Sequence, residues 1–496
     1  MKRLYIYGPP ASGKTTLARK LARRYSIDIP DLDALIVSRI GCPIAQFFAE
    51  RGEAEFRRIE SETLKSVDGP AVALGGGTLL RADNRAFAEQ NGFVVVLDVG
   101  PDEIARRIEA QSGTRPLGNR AAERRVHYAS FAHRVDSDTA LLLPRKARGE
   151  VVAPVSKSHL HRLLIADFLA GGDAWRGQSE GECADISATR RCIAALDGRD
   201  GMLDCGESGS TLRFMAPLAA ALGVKATFVR RGRLAERPMI DYSDLAPGRH
   251  ELRGDVSSQF VTGLLFALPL LKGDSEIVFT TPLQSRGYVD MTLDVVRRYG
   301  IVVEETQSGF RVPGSQRFVS PGSFRPEGDW SGAAFWFAAN ALGAEVDVKN
   351  LLDDSRQPDS CVCSLVSRIV AGDGDIDISG FPDLFPALAV VAASVPHETR
   401  FVNAARLRIK ESDRIEAMER VLAAFRVGTW STADTVTVIG TSASFAACEI
   451  DSANDHRIAM AAAVASMRAE GPVLIHGAGC VAKSYPSFFE ELYRLQ

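Results

Sequence analysis

The distribution of apolar residues divides this chain into two parts with different repeating patterns. In the first part, up to about Pro144, short apolar runs are separated by segments with apolar residues at helical spacing, for example Thr15–Tyr25 and Glu53–Lys65. The predicted strands are Leu4–Tyr7, Ala71–Leu74, Phe93–Val99 and Ala140–Leu143. Strands that alternate with helices predict an α/β fold, with a parallel sheet and helices on both of its faces.

The second part carries an internal repeat in which a polar first turn leads six times into a nearly all-apolar helix. These helices are predicted to begin near Ser158, Ser210, Ser258, Ser331, Phe385 and His456. Because helices that are apolar on every side must be buried, we expect βαβ-type units in which each helix is wrapped by its own sheet. Several first turns carry basic or hydroxyl side chains, and a helix N-terminus suits phosphate and carboxylate groups. Several such ends in one cleft would form an anion site.

Length and composition limit the classes of protein that fit. A chain of 496 residues suggests about three domains. A net charge of -3 argues against a dedicated nucleic-acid binder, although a local cluster of Arg and Lys would still bind anionic small molecules. The 8 Cys lack zinc-site spacing, which favours free thiols in a reducing compartment. With no room for a signal peptide and no apolar run of about 18 residues, we expect a cytoplasmic protein without membrane or nucleic-acid partners. The oligomeric state cannot be read from the sequence.

A phosphate-binding loop lies near the N-terminus. The run from Gly8 to Thr15 fits the pattern G-x-x-x-x-G-K-[ST], and it follows a strand and opens a helix. Backbone N–H groups of such a loop wrap phosphates, Lys14 would neutralise the β and γ oxygens, and the Thr15 hydroxyl would hold Mg²⁺. The predicted ATP contacts are Gly8, Ser12, Gly13, Lys14, Thr15 and Thr16.

The segments that follow this loop resemble shikimate kinases over essentially the whole first part. The motifs that carry the resemblance are Asp31-Leu-Asp33, Glu55-Phe-Arg57-Arg58, Leu74-Gly75-Gly76-Gly77 and Arg115-Pro-Leu117, with Arg124 four residues before Tyr128. The resemblance implies shikimate-binding roles for Asp33, Arg57, Gly76 and Arg124, Mg²⁺ ligation by Thr15 and Asp31, and an ATP-lid role for Arg115. Taken singly, the two Asp could cap a helix and Arg57 could lie on a solvated helix face. Their order after a phosphate loop favours the binding roles.

One departure from the kinase pattern leaves an alternative open. The stretch from Arg115 to Arg124 is several residues shorter than the lid of the family. A short lid would exclude water less well, so the alternative is a nucleotide-binding domain with weak or purely regulatory activity. A general small-molecule kinase is disfavoured by Asp31, Asp33, Arg57 and the glycine turn.

The rest of the chain resembles 3-phosphoshikimate 1-carboxyvinyltransferases (EPSP synthases). The matching motifs are Pro154–Arg162, Glu207–Arg213, Glu236–Pro238, Ser257–Gln259, Lys410–Arg414, Asn454–Arg457 and the segment around Lys483. The resemblance assigns Lys157, Ser158, Arg162, Ser257, Ser258, Gln259, Ser285, Tyr288, Asp383 and Lys410 to shikimate 3-phosphate. It assigns Lys157, Gly209, Arg237, Gln259, Arg414, Arg457 and Lys483 to phosphoenolpyruvate. The transferase is expected to need no cofactor.

Simple chemistry agrees with this resemblance. Phosphoenolpyruvate and shikimate 3-phosphate each carry a carboxylate and a phosphate, so one cleft must hold four anionic groups with several fixed cations. The reaction also needs a base for the 5-hydroxyl and an acid for the methylene carbon. Asp383, Glu411 and Lys157 match the catalytic residues of the family, and the sequence does not assign a step to each. The simpler roles are a helix cap for Asp383 and a solvated helix face for Lys410–Arg414.

Two local departures and one rival accompany this second resemblance. Arg406 stands where some relatives have Asn, and the segment before Lys157 is short. The rival is a UDP-N-acetylglucosamine enolpyruvyl transferase, which would need a uridine site and usually a reactive loop Cys; the signatures favour the shikimate enzyme. We predict a first domain at 1–145 and a transferase at 150–496. One lobe of the transferase would hold 150–158 and 327–496, the other 159–326, with the active site in the cleft between them.

Overall fold

A parallel sheet forms the centre of the N-terminal unit. The structure is a computed structural model that describes residues 2–109, 124–177 and 181–496. The strands are β1 (Arg3–Tyr7), β2 (Ala71–Ala73), β3 (Gly92–Leu97) and β4 (His133–Val135), in the order β2-β1-β3-β4 with every neighbouring pair parallel. The helices are α1 (Lys14–Tyr25), α2 (Leu32–Ile40), α3 (Ile44–Ser66), α4 (Ala82–Asn91), α5 (Pro101–Glu109) and α6 (Arg125–Ala129). Two separate buried clusters line the sheet, which confirms the predicted parallel α/β fold.

The next strand belongs to a different sheet from the one predicted. Strand β5 (Thr139–Leu142) pairs antiparallel with β19 (Val473–His476), near the other end of the chain. The prediction that Ala140–Leu143 joins the N-terminal sheet is therefore wrong. The physical reason is that an apolar run buried on both faces identifies a strand but not its partner.

Strand β5 is buried on both faces because two cores meet at it. Leu141 and Leu143 pack in the core of the N-terminal unit, together with Leu474 of β19. Ala140 and Leu142 point the other way, into the core of the C-terminal unit. Successive side chains of a strand alternate between its faces, so this one strand serves both units. The predicted boundary between the two domains, at residues 145–150, remains a proposal. Because β5 pairs with a strand of the C-terminal unit, we would place this boundary closer to Thr139.

The C-terminal unit continues with β6 (Arg148–Val152) and forms two lobes. The first contains α7 (Lys157–Leu169), α8 (Ala184–Asp197), β7 (Met202–Gly206), α9 (Gly209–Ala221), β8 (Thr227–Arg230), β9 (Arg249–Arg253), α10 (Ser258–Ala267), β10 (Ser275–Thr281), α11 (Arg286–Arg298), β11 (Glu304–Thr306) and β12 (Gly309–Val312). The second contains α12 (Trp330–Ala341), β13 (Glu345–Lys349), α13 (Val362–Ala371), β14 (Ile376–Asp377), α14 (Phe385–Ala393), β15 (Glu398–Val402), α15 (Arg414–Ala424), β16 (Gly428–Ser431), β17 (Thr435–Ile439), β18 (Cys448–Asp451), α16 (His456–Ser466), β19 and α17 (Phe488–Leu495).

The six apolar helices of the repeat begin where the sequence predicts. They are α7, α9, α10, α12, α14 and α16, and most of their residues are buried on every side. One core draws its residues from Leu160–Phe318, and a second from β5, β6 and the segment from Trp330 onwards. The division into lobes at 158/159 and 326/327 remains a proposal, and these two cores support it.

The chain crosses between the lobes at two neighbouring segments. Val155 and Gly328 form an antiparallel bridge, and the Ser156 N–H donates to the Glu327 carbonyl at 2.7 Å. First-turn residues of α7, α9 and α10 line one cleft in this part of the molecule. Within the described residues no single helix is long and apolar enough to cross a membrane, although α2 and α3, bent by 86°, pass that test of length and composition as a pair.

Candidate active sites

The phosphate loop has the geometry expected between β1 and α1. Gly8 and Gly13 adopt positive φ angles of 144° and 100°, which favour glycine, and they turn the backbone around the loop. The Lys14 ammonium donates to the Gly8 and Pro9 carbonyls at 3.0 and 2.8 Å. Thr15 and Thr16 lie exposed in the first turn of α1, and the buried Ser12 hydroxyl has no hydrogen-bond partner among the described residues. The predicted nucleotide contacts therefore share one loop.

Arg107 is a residue of this loop site that the sequence analysis missed. It reaches from α5 to the loop, where its guanidinium donates to the Ala11 and Ser12 carbonyls at 3.4 and 3.3 Å. No local motif marks it, because its neighbours form an ordinary charged helix. Arg115, which was predicted to act from the lid, lies outside the described residues.

Asp31 caps α2 and also contacts the phosphate loop. One carboxylate oxygen accepts the N–H groups of Asp33 and Ala34, which caps α2. The other accepts the Thr15 hydroxyl at 3.0 Å. A hydroxyl and a carboxylate beside a phosphate loop are oxygen donors that fit Mg²⁺, which usually takes few protein ligands besides phosphates and water.

The glycine turn lets two predicted ligands approach the backbone closely. A Cβ at Gly75 would lie 2.6 Å from an Asp33 carboxylate oxygen, and one at Gly77 would lie 2.8 Å from the Arg57 guanidinium. The Tyr128 hydroxyl donates to the Gly76 carbonyl at 2.7 Å. Any larger residue at positions 75 or 77 would displace these side chains.

Arg57 and Arg124 line one pocket beside the turn, together with Gly77. The Arg57 guanidinium pairs with Glu60 at 2.6 Å and with Glu53 at 3.3 Å. Burial lowers the pKa of Arg57, but the two glutamates outweigh it and the pKa is raised overall. Two arginines in one pocket suit a carboxylate ligand.

The second site is a cleft between the two lobes of the C-terminal unit. The sequence-predicted side chains that line it are Lys157, Ser158, Arg162, Gly209, Arg237, Ser257, Ser258, Gln259, Ser285, Tyr288, Asp383, Lys410 and Glu411. Arg414 and Arg457 lie directly behind this lining, where both contact Asp383. The structure thus brings together side chains from six separate motifs.

Asp383 is surrounded by cations at the end of the cleft. Its carboxylate lies 2.7 Å from the Arg414 guanidinium, 3.1 Å from Arg457 and 3.5 Å from the Lys410 ammonium. Burial raises the pKa of Asp383, but the three cations outweigh it and hold the pKa well below its usual range. Asp383 is therefore ionised at neutral pH and can accept a proton.

Glu411 is linked to Asp383 through a shared arginine. The Arg414 guanidinium donates to Glu411 at 2.8 Å, and Arg237, from the opposite lobe, lies 3.5 Å from Glu411. Burial raises the pKa of Glu411, and Arg414, Arg237 and Lys410 together lower it well below its usual range. Burial lowers the pKa of Lys410 to about 8 despite the nearby Asp383.

Lys157 has a partner that the sequence analysis missed. Its ammonium lies 2.8 Å from the Asp185 carboxylate, which comes from α8 and carries no motif of its own. Burial lowers the pKa of Lys157, but Asp185 outweighs it, so the pKa is raised. Lys157 is accordingly a fixed cation in the cleft wall.

Arg213, a basic residue in the first turn of α9, lies beside Gly209. It is buried, makes no ion pair among the described residues, and donates to the Gln259 side chain at 2.6 Å. A Cβ at Gly209 would lie 2.8 Å from the Arg237 guanidinium and 2.9 Å from that of Arg213. Its first-turn position had marked Arg213 as a possible anion contact, although not as a member of either substrate set.

Lys483 contacts the opposite lobe. Its ammonium lies 2.7 Å from the Glu207 carboxylate and donates to the Asn454 carbonyl at 2.7 Å. The Asn454 amide also donates to Glu207 at 3.1 Å. Together with the Arg237–Glu411 pair, these contacts join the lobes across the cleft.

Hydroxyl groups and one buried arginine form the other side of the cleft. Ser257 caps α10, the helix that begins with Ser258 and Gln259. Arg162 is buried and donates to Thr292, Ser158 and Tyr288, at 2.9, 2.5 and 2.9 Å, and it has no ion pair among the described residues. The Tyr288 hydroxyl donates to the buried Asp359 at 2.6 Å. This side therefore offers hydroxyl groups and a guanidinium to an anion.

Comparison with known proteins now identifies the family. The sequence matches the family model of EPSP synthase (3-phosphoshikimate 1-carboxyvinyltransferase) over residues 240–492. The 3-phosphoshikimate 1-carboxyvinyltransferase of Clostridioides difficile (strain 630) is 33% identical over 423 residues, covering 71% of this chain and 96% of the relative. The chain belongs to the EPSP synthase family. The corresponding protein of Clostridium perfringens (strain 13 / Type A) is 35% identical, with 72% of this chain and 97% of the relative covered.

The EPSP synthase fold also has a solved counterpart. The EPSP synthase of Acinetobacter baumannii superposes with a TM-score of 0.58 at 23% identity, covering 72% of this chain and 98% of that one, which shows the shared fold. The family model of shikimate kinase matches residues 10–139. The chain therefore combines a shikimate kinase domain with an EPSP synthase domain in one bifunctional transferase of the shikimate pathway.

Proposed function

We propose that the two sites catalyse consecutive reactions. The N-terminal site phosphorylates shikimate with ATP, and the cleft then transfers the enolpyruvyl group of phosphoenolpyruvate to the product, shikimate 3-phosphate. These steps lead towards chorismate and the aromatic amino acids. The observation that carries the proposal is the pair of carboxylates Asp383 and Glu411, bridged by Arg414, inside a cleft lined with cations that suit four anionic groups.

In the N-terminal site, the residues supply binding and orientation. Asp33, Arg57, Gly76 and Arg124 would hold shikimate, while the loop residues Gly8 to Thr16 and Arg107 would hold ATP. Thr15 and Asp31 would ligate Mg²⁺, which in such sites neutralises charge on the transferred phosphate. Asp33 would orient the hydroxyl that receives the phosphate.

In the cleft, each substrate would occupy one side. Ser158, Arg162, Ser257, Ser258, Gln259, Tyr288 and Lys410 would hold shikimate 3-phosphate directly, with Ser285 on the same side of the cleft. Gly209, Gln259, Arg237, Arg414, Arg457 and Lys483 would hold phosphoenolpyruvate, and Lys157 would contact both. Glu207 would leave Lys483 when the phosphate of phosphoenolpyruvate takes its place.

The charge pattern supports a proposal for the role of each carboxylate. Asp383, held ionised by three cations, would accept the proton of the 5-hydroxyl while its oxygen attacks C2 of phosphoenolpyruvate. Glu411 would protonate C3. Free Glu411 is ionised because Arg414 and Arg237 lower its pKa; the anionic groups of phosphoenolpyruvate would neutralise those arginines, and burial would then raise the pKa. In the second step Glu411 would take back a methyl proton, and Asp383 would give its proton to the leaving phosphate.

Two assays of the purified full-length chain test the proposal separately. With ATP and Mg²⁺, ADP release should depend on added shikimate. With shikimate 3-phosphate and no ATP, phosphate release should depend on phosphoenolpyruvate. ADP release that ignores shikimate would overturn the kinase assignment, and an absence of phosphate release would overturn the transferase assignment.

A further inference from the structure

Arg406 lies in the wall of the cleft. It belongs to a short 3-10 helix, Ala405–Ile409, which ends immediately before Lys410. The residue is 9% exposed, and its guanidinium donates to the Ser285 hydroxyl at 2.7 Å and to the Val256 carbonyl at 3.3 Å. Among the described residues it makes no ion pair. An arginine has five N–H donors, so most of them stay available to the cleft.

Two nearby arginines are balanced by carboxylates, whereas Arg162 and Arg213 resemble Arg406 in being buried without an ion pair among the described residues. Arg414 is balanced by Asp383, Glu411 and Asp455. Arg408, two residues after Arg406 on the same short helix, pairs with Asp413 at 3.2 Å near the surface. A buried cation without a partner is costly, so such a group normally has an anionic ligand.

The Ser285 hydroxyl orients the Arg406 guanidinium. It has a single proton, which it donates to the Ser379 carbonyl at 2.9 Å, while its oxygen accepts from Arg406. With its proton engaged in this way, Ser285 has none to give to a substrate oxygen. The donors that face the cleft at this point are therefore those of Arg406.

The position of Arg406 indicates which anion it would meet. It contacts Ser285 and Val256, and Val256 immediately precedes the Ser257–Gln259 segment. The cations assigned to phosphoenolpyruvate, such as Arg237 and Lys483, contact Glu411 and Glu207 instead. Arg406 therefore belongs to the hydroxyl-rich side of the cleft.

We propose that Arg406 binds the 3-phosphate of shikimate 3-phosphate, and that Ser285 is a positioning residue for its guanidinium. The proposal rests on the proposed function of the cleft. A planar fork of N–H donors binds two phosphate oxygens at once, which makes Arg406 a determinant of the preference for phosphorylated over unphosphorylated shikimate.

The test compares Arg406→Gln with the matched control Arg408→Gln in the full-length chain. Phosphate release is measured with shikimate 3-phosphate and phosphoenolpyruvate but without ATP, so that the kinase reaction cannot contribute to the signal. Unphosphorylated shikimate is added as a competitive inhibitor, and its inhibition constant reports binding at the same site without the phosphate. The KM values for both substrates and kcat are determined in parallel.

In Arg406→Gln the KM for shikimate 3-phosphate should rise about 10- to 100-fold, the size expected for lost charge-assisted bonds. The inhibition constant of shikimate, the KM for phosphoenolpyruvate and kcat should change less than about 2-fold, and Arg408→Gln should change none of them. In Arg406→Lys, which keeps the positive charge but not the planar fork of donors, the KM for shikimate 3-phosphate should lie between the values of the wild type and Arg406→Gln. Equal weakening of shikimate and shikimate 3-phosphate, or an unchanged KM, would overturn the proposal.

A second pair of variants covers a failure of Arg406→Gln to fold. Arg406→Lys and Ser285→Ala should each raise the KM for shikimate 3-phosphate more than the inhibition constant of shikimate; equal changes would overturn the proposal. If the wild-type chain releases no phosphate, the proposed transferase function of the cleft is refuted. This outcome is distinct from a failure of the proposal for Arg406.

Discussion

The two active sites of this chain hold their charges in different ways. In the cleft, three cations surround the ionised Asp383, and Arg162, Arg213 and Arg406 are buried with no ion pair among the described residues. In the N-terminal site, Arg57 already pairs with Glu53 and Glu60, and Lys14 donates to loop carbonyls. We therefore expect the three buried arginines of the cleft to be preformed for anion binding, although Lys483 would first have to leave Glu207. In the kinase site, Arg57 would have to exchange contacts with its glutamates for the substrate.

The two sites nevertheless depend on one continuous structure. Strand β5 contributes alternate side chains to the cores of both units. The Arg24 guanidinium lies 3.1 Å from the centre of the Tyr493 ring, and Glu449 pairs with His133 at 2.8 Å. Chemistry should therefore be separable by mutation, while stability is partly shared.

The largest effect is expected for Asp383→Asn. Loss of the proton acceptor should lower kcat for phosphate release by about 10²- to 10⁴-fold, the usual contribution of general acid–base catalysis. Shikimate-dependent ADP release should not change, because Asp383 lies in the other domain. Assaying both reactions on one preparation checks this, and a parallel loss of kinase activity would show that the sites are not independent.

Leu474→Ala tests the shared core. This side chain is fully buried and packs with the N-terminal unit, so truncation should cost about 2–5 kcal/mol of stability. Kinase activity should then disappear at a lower urea concentration than transferase activity. The matched control is the adjacent Ile475, which packs in the core of the C-terminal unit. In Ile475→Ala, transferase activity should instead be lost at a lower urea concentration than kinase activity.

Lys14→Met tests the kinase site in the same way as Asp383→Asn tests the cleft. Removing a cation from the transferred phosphate should lower shikimate-dependent ADP release by about 10²- to 10³-fold, the typical cost of losing one charge-stabilising donor. Transferase activity should be unchanged. A transferase that is also impaired would contradict the separation of the two sites.

Arg57→Gln and Arg58→Gln form a matched pair on α3. Arg57 is half-buried and lines a pocket with Arg124, whereas Arg58 pairs with Glu55 and Glu62 on the surface. The KM of the kinase for shikimate should rise about 10- to 100-fold in the first variant and less than about 2-fold in the second. Equal KM values for shikimate in the two variants would show that Arg57 does not bind shikimate.

The smallest expected effect is a pH dependence in the cleft. Burial lowers the pKa of Lys410 to about 8, so this lysine is a cation below that pH and becomes neutral above it. Because the substrate is anionic, its KM should be lowest below pH 8 and should rise by up to about tenfold per pH unit above it. In Lys410→Met this rise of KM above pH 8 should be absent. If the variant shows the same rise as the wild type, a group other than Lys410 causes it.

Much of this architecture is readable from sequence because its signals are local. Five of the six helix starts are marked by a capping Ser or Asp before an apolar run, and the start of α14 is marked by a proline in its first turn. The glycine turn is marked by three glycines beside a strand. Contacts between residues far apart in the chain have no such local signal in the sequence. Asp185 meets Lys157 only through the packing of α8, Arg107 reaches the phosphate loop from a distant helix, and β5 finds a partner more than three hundred residues away.

One measurement tests the central claim most directly: phosphorus NMR of the purified chain with shikimate, ATP and Mg²⁺, followed by phosphoenolpyruvate in the same tube. We expect the signal of shikimate 3-phosphate to grow first, and then to give way to the enolpyruvyl product and free phosphate. A shikimate 3-phosphate signal that persists after phosphoenolpyruvate is added, or one that never forms, would contradict the account of two consecutive active sites in one chain.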